Sequence, residues 1–221
     1  MIVDLSHTIR AGMVTYPGLP APSITPYLTR HDSRQVYAPG TEFAMDVITM
    51  IGNTGTYLDS PLHRYSDGDD LATLNLATLV DLPAVVVSRR DITTRAVDVD
   101  DLPREIEPGS AVLISTGWDC HFGTEAYGID APFLTEAAAR RLVDARVALV
   151  GIDSVNIDDI SPSAAGRRPV HTVLLAHGIH VVEHLTNLGA LPTRGARFSA
   201  APPRIEGFGT FPVRAYAIVP E

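Results

Sequence analysis

Apolar residues in this chain fall in short runs, not long stripes. Ala84 to Val87, Ala111 to Ser115, Val147 to Gly151 and Ile179 to Val182 are compact and rich in β-branched residues, which predicts buried strands. Phe43 to Met50 is also β-compatible, and Val213 to Val219 alternates before ending at Pro220. Helical spacing is clearest over Thr135 to Ala145. There Thr135 suits the N-cap, Glu136 suits the first turn, and Ala138, Leu142 and Ala145 share a face. Further helices are expected around Leu74 to Leu79, and from Glu183 toward Leu188, stopping at Gly189. The pattern predicts an α/β protein that is strand-rich with few helices.

Composition adds bounds to this picture. The chain has 221 residues, of which 45% are hydrophobic, enough for a sizeable core and too many for a disordered chain. No repeat, low-complexity tract or linker interrupts it, so a single domain over residues 1–221 is expected. Residues 11–41 hold Pro17, Gly18, Pro20, Pro22, Pro26, Pro39 and Gly40, and are expected to form an irregular lid or a partner-contacting arm.

Charge and residue usage exclude whole classes of function. The formal charge of −9 argues against a nucleic acid or an anionic membrane as partner and leaves a small-molecule substrate. All 17 basic residues are Arg, so a lysine Schiff base and a phosphate-loop lysine are impossible. Cys120 is the only cysteine, which fits a reducing cytoplasm. The start, Met1 to His7, lacks a basic signal-peptide region, and no apolar run approaches the roughly 18 residues of a membrane span.

Two clusters carry candidate chemistry. Residues 52–63 directly follow a predicted strand and read Gly-Asn-Thr-Gly-Thr-Tyr-Leu-Asp-Ser-Pro-Leu-His. The glycines allow close backbone approach, and Pro61 holds Ser60 extended. Asp59 and His63 are thus set on a stiff loop, where they could bind a metal, form an oriented base, or simply cap a turn. The second cluster, residues 171–184, holds four of the eight histidines. It contains His180-Val-Val-Glu-His184, which matches the inverted zinc-protease pattern. That pattern requires a helix, and Ile179 to Val182 favours a strand, so His177, His180 and His184 are expected to be structural. Glu183 remains a candidate ligand. No Gly-x-Ser-x-Gly elbow is present, and nothing marks Cys120 beside His121 as activated. Asp153, Asp158 and Asp159 follow a predicted strand, where capping the next turn is the simplest role.

Residues 52–63 resemble the signature His-x-Gly-Thr-His-x-Asp-x-Pro-x-His of the cyclase superfamily that includes bacterial kynurenine formamidases (arylformamidases) and isatin hydrolases. Ordered blocks extend the resemblance along the chain: Asp4 to Ile9, Tyr16 to Gly18, Ser115 to Trp118, Gly151 to Ser154, His171 to Leu175, Val182 to Leu188 and Pro202 to Gly207. The resemblance implies a swivelling β/β/α cyclase-like fold and a homodimer or homotetramer whose N-terminal arm reaches a neighbouring site. It also implies Zn²⁺ or Mn²⁺ and hydrolysis of an aryl formamide or cyclic amide. Carried over residue by residue, it places metal ligands at Asp59, His171 and Glu183 and the catalytic imidazole at His63. Two further imidazole ligands of the family fall at Asn53 and Tyr57, so one metal set is kept and the other dismantled.

An amide oxygen is a poor transition-metal ligand, and a phenol must lose a proton of pKa about 10 to bind well. Three readings follow. One divalent metal binds Asp59, His171 and Glu183, with His63 as acid and base. Alternatively no metal binds, and Tyr57, Asp59 and His63 act as catalytic acid–base groups in a cyclase, dehydratase or isomerase reaction. In the third reading the pocket binds without chemistry. Asn53, Tyr37, Arg34 and Phe43 are candidates for substrate binding, with His31 and Gln35 nearby. The aromatic rings suit a cyclic compound, and Arg34 suits a carboxylate.

Overall fold

In a computed structural model, which describes residues 1–90 and 94–220, the apolar runs become neighbouring strands. In chain order the strands are β1 (Ile2–Asp4), β2 (Ser23–Leu28), β3 (Met45–Thr49), β4 (Tyr57–Asp59), β5 (Leu82–Ser88), β6 (Ala96–Val97), β7 (Ala111–Ser115), β8 (Phe133–Leu134), β9 (Leu149–Ile152), β10 (His180–Glu183), β11 (Arg194–Ser199), β12 (Thr210–Pro212) and β13 (Tyr216–Ile218). Among the described residues there are three α-helices: α1 (Arg30–Ser33), α2 (Glu136–Asp144) and α3 (Pro169–Ala176). The fold is mixed α/β and strand-rich.

Nine strands form one sheet in the order β1-β13-β11-β5-β7-β9-β10-β4-β12. Its centre, β5-β7-β9-β10, is parallel, and the flanking strands are antiparallel. Parallel strands are covered on both faces, which explains why the central runs are continuously apolar. Val85, Val87, Val112 and Ile114 face a core built with Ala138, Ala139 and Leu142 of α2 and Val170, Val173 and Leu174 of α3. Ala84, Val86, Ala111 and Leu113 point the other way, into a core with Leu5, Leu58 and Phe198.

Helix α2 matches its sequence signals: Thr135 Oγ1 accepts from Ala138 N at 3.1 Å. The other two predicted helices are corrected. Residues 74–79 hold only a 3₁₀ turn at Leu76–Thr78, because the Asn75 side chain closes it locally by accepting from Ala77 N at 3.0 Å. From Glu183 to Leu188 the chain is irregular, since His184 and Asn187 both adopt positive φ, near 56° and 59°, which no α-helix accommodates. The expected strand at Val213 to Val219 shortens to Tyr216–Ile218. Helix α3 lacks a sequence stripe because Val170, Val173, Leu174 and Leu175 are all buried, leaving no polar face to set the period.

The Pro-rich stretch is more ordered than its composition suggests. It contributes β2, which pairs antiparallel with β3 as a two-stranded ribbon separate from the main sheet, with α1 between them. Ile24, Tyr27, Met45, Val47 and Ile48 on this ribbon are exposed. No helix among the described residues is long and apolar enough to cross a membrane.

Candidate active site and metal-binding cluster

Strand register builds the site. Tyr57 lies opposite Glu183 in the β4–β10 pair, and Asp59 lies opposite Thr210 in the β4–β12 pair. Two glycines let the surrounding loops close on these strands. A β-carbon at Gly52 would run into the Thr210 carbonyl, and one at Gly209 would overlap the His63 backbone. Helix α3 brings His171 in from its first turn. As a result Asp59, His171 and Glu183 are all buried, and each offers a ligand atom within 4.8 Å of the others.

His171 is oriented by Asp158. The Asp158 carboxylate accepts from Val170 N at 2.7 Å and His171 N at 3.1 Å, and lies 2.6 Å from His171 Nδ1. With Nδ1–H donating to that carboxylate, Nε2 carries the lone pair whenever the imidazole is neutral. Nε2 lies 3.4 Å from Asp59 Oδ2 and 3.5 Å from Glu183 Oε1. Asp59 Oδ2 is buried and has no hydrogen-bond partner among the described residues. A buried carboxylate oxygen without a donor costs roughly 1–3 kcal/mol or more. Three convergent donors, one of them orphaned and one set by an outer carboxylate, fit a divalent cation of the zinc or manganese type.

The electrostatics agree with that fit. Burial opposes charge on His171, but Asp158, Asp59 and Glu183 together raise its pKa to about 10. Burial raises Glu183 to about 7 against the opposing charge of His171. Burial also works against the Asp59 carboxylate, yet His171, His63 and Thr210 hold it below its ordinary value. The cluster thus concentrates negative charge that needs a cation, either a proton on His171 or a metal.

Thr210 links His63 to Asp59. Its hydroxyl donates to Asp59 Oδ1 at 2.5 Å and lies 2.6 Å from His63 Nδ1. A threonine hydroxyl has one proton, so it accepts from His63 Nδ1–H and leaves Nε2 of His63 basic. His63 is partly exposed at the cavity wall, whereas Asp59 beneath it is buried.

A second directed chain supports Glu183. Tyr57 donates its hydroxyl to Glu183 Oε2 at 2.6 Å, while Ile157 N donates to Oε1 at 2.7 Å. Tyr57 Oη then accepts from His184 Nε2 at 3.3 Å, and His184 Nδ1 accepts from Tyr127 at 2.8 Å. Burial and the Glu183 and Asp59 charges keep the Tyr57 phenol well above its ordinary pKa, hence neutral. This chain explains the buried His184. His180 instead meets Thr78 Oγ1 at 3.0 Å, and His177 Nδ1 donates to the Val173 carbonyl at 2.8 Å. The zinc-protease match therefore lies on a strand, and its histidines do not converge.

Asn53, Tyr57, His63, His171 and Glu183 line one cavity of about 710 Å³, together with Arg64, Arg167 and Arg168. Three candidate substrate contacts lie elsewhere in this chain. Arg34 pairs with Glu42 at 2.6 Å, and Tyr37 and Phe43 pack edge-to-face at 5.0 Å. They satisfy one another beside the ribbon and do not line this cavity. Sequence reasoning missed Thr210 and the cavity arginines Arg64, Arg167 and Arg168, for which no local pattern exists. Asp158 had a usable signal, its place just past a strand and ahead of His171.

Comparison with known proteins decides the family. The model described as "Putative cyclase" matches residues 3–159. The chain belongs to this family. It is 30% identical over 224 residues to an isatin hydrolase of Roseibium aggregatum, covering 89% of this chain and 83% of that one. It is 28% identical to a kynurenine formamidase of Erythrobacter litoralis, covering 83% and 78%. An isatin hydrolase crystal structure with bound thioisatinate superposes with a TM-score of 0.83 at 25% identity, covering all of this chain and 92% of that one. A second structure, described as a potential metal-dependent hydrolase with cyclase activity, gives 0.79 at 26% identity, covering 100% and 98%. The cyclase-like fold expected from the sequence is the one observed.

Proposed function

We propose that this cyclase-family chain is a hydrolase that opens an amide, lactam or ester bond in a small aromatic or cyclic compound, with one divalent metal, zinc or manganese. The observation that carries the reading is the orphaned Asp59 Oδ2 facing His171 Nε2 and Glu183 beneath a cavity. The relatives named isatin hydrolase and kynurenine formamidase support the bond type. A single metal follows from Tyr57, whose neutral hydroxyl is committed to Glu183.

Asp59, His171 and Glu183 would hold the cation, which supplies Lewis-acid chemistry by polarising a carbonyl and acidifying water. The chain supplies the rest. His63 takes a proton from water at Nε2 and returns it to the leaving nitrogen or oxygen. Thr210 keeps His63 in the tautomer that can do so. Asp158 fixes His171, and Tyr57 positions Glu183 without donating to substrate. Asn53, at the cavity wall, contacts the substrate.

The reading includes a second copy of the chain over the exposed ribbon, in a homodimer or homotetramer, because a two-stranded ribbon with apolar residues in water is marginally stable alone. A cytoplasmic setting accords with the single cysteine. The test is metal analysis of protein purified without chelator, together with turnover of formanilide and simple lactams. About one metal per chain, and turnover abolished by His63→Ala, is the expected result. Negligible metal with no activation by added Zn²⁺ or Mn²⁺ would overturn it.

A further inference from the structure

We propose that the cavity takes a substrate carrying a carboxylate group, held by Arg64, Arg167 and Arg168. This deepens the hydrolase reading and rests on it for the bond that reacts. All three arginines line the cavity that His63, His171 and Glu183 also line. None makes an ion pair with an acidic side chain among the described residues, whereas Arg140 on the same wall is tied to Glu136 at 2.6 Å.

Their anchoring leaves donors free. Arg64 follows His63 directly, and only its Nε is engaged, at 3.4 Å from Thr172 Oγ1, next to His171. Arg167 uses Nε alone, donating to the Ala164 carbonyl at 3.1 Å. Arg168 uses Nη1, toward the Arg167 and Asp159 carbonyls at 2.9 and 3.4 Å. A guanidinium has five N–H donors, and its terminal pair matches the two oxygens of a carboxylate. Main-chain and hydroxyl contacts therefore hold these side chains in place while both terminal nitrogens of Arg64 and Arg167, and Nη2 of Arg168, remain available.

The N-terminus of α3 does not supply this site. Asp158 already occupies the Val170 and His171 N–H groups. What recognises the anion is the arginine set, with acidic groups on the floor and cations on the wall. That polarity orients a substrate with its reacting carbonyl inward, toward His63, and its carboxylate toward the arginines. In a chain of net charge −9, a local cationic wall is also what an anionic substrate needs in order to approach. Arg34 is not part of this set, since it is paired with Glu42.

The test separates the carboxylate site from the metal. In chelator-stripped protein, calorimetry should show benzoate binding, with about tenfold loss of affinity in the Arg64→Gln/Arg167→Gln double variant. Arg204→Gln, outside the cavity, should bind benzoate like wild type. With metal restored, the ratio of kcat/KM for formamidobenzoate to that for formanilide should fall about tenfold in the double variant, mainly through KM for formamidobenzoate. Benzoate binding that ignores the double substitution would overturn the proposal. Displacement of benzoate by inorganic phosphate at equal concentration would also overturn it, in favour of a phosphate site. Formanilide turnover without arginine-dependent benzoate binding leaves the hydrolase standing and removes the carboxylate site. Arginine-dependent binding in a protein that cleaves neither formamide does the reverse.

Discussion

The Tyr57 hydroxyl donates to Oε2 of Glu183 at 2.6 Å, across the β4–β10 pair. It therefore holds a ligand in place where an imidazole would itself be one. Replacing Asn53 and Tyr57 together by His should raise metal content from about one to about two per chain, read by elemental analysis after dialysis. If the double variant stays at one, Tyr57 is not what limits the site to a single metal.

Thr210 joins His63 to Asp59, so Thr210→Val removes the acceptor that fixes the imidazole tautomer. We expect kcat to fall by about 10²-fold with KM changed little, because orientation of the base is lost while the cavity wall remains. Thr210→Ser should recover most of the rate. Equal rates for Val and Ser would show that the hydroxyl plays no part.

Asp158 has two duties, capping the start of α3 and orienting His171. Asp158→Ala should lower metal affinity by about 10–100-fold. It should also cost on the order of 1–3 kcal/mol in denaturant unfolding, since buried N–H groups lose their acceptor. A loss of stability with unchanged metal affinity would leave only the capping role.

Burial holds the His180 imidazole neutral, lowering its pKa to about 4. The unfolded chain, with an ordinary histidine pKa of about 6.5, binds a proton that the folded chain refuses. Its contribution to stability is complete above about pH 6.5 and is lost as pH falls toward 4, roughly 3 kcal/mol in all. Burial lowers His7 and His184 in the same direction, so urea unfolding between pH 4 and 7 should show this slope, and His180→Leu should make it shallower without abolishing it, whatever it does to absolute stability.

Tyr27 and Val47 lie exposed on the β2–β3 ribbon. Tyr27→Glu with Val47→Glu should shift the chain toward monomer in sedimentation velocity and leave the far-ultraviolet spectrum unchanged. A wild-type chain that already sediments as a monomer would refute the covered ribbon.

The central strands were legible because their two faces are both buried, so each reads as an unbroken apolar run. Asp59, His63, His171 and Glu183 were legible because glycines and Pro61 mark a shaped loop, and because ordered blocks resemble one family. Helix α3 was hidden by the same burial that makes it stable, which erased its polar stripe. Arg34, Tyr37 and Phe43 lie away from this chain's own cavity because the Pro-rich stretch, which composition marks as irregular, is drawn into a ribbon by pairing of β2 with β3. Thr210 could not be seen locally, since its role comes from strand register alone.

That register has a consequence for folding. Asp59 and Thr210 are 151 residues apart, yet they share one hydrogen bond at the base of His63. β4 carries Asp59, and it meets β12 only when the two distant segments pair. Contacts of such long sequence separation form late. Alignment of the candidate base His63 over Asp59 thus waits on a pairing that the chain can make only across most of its length.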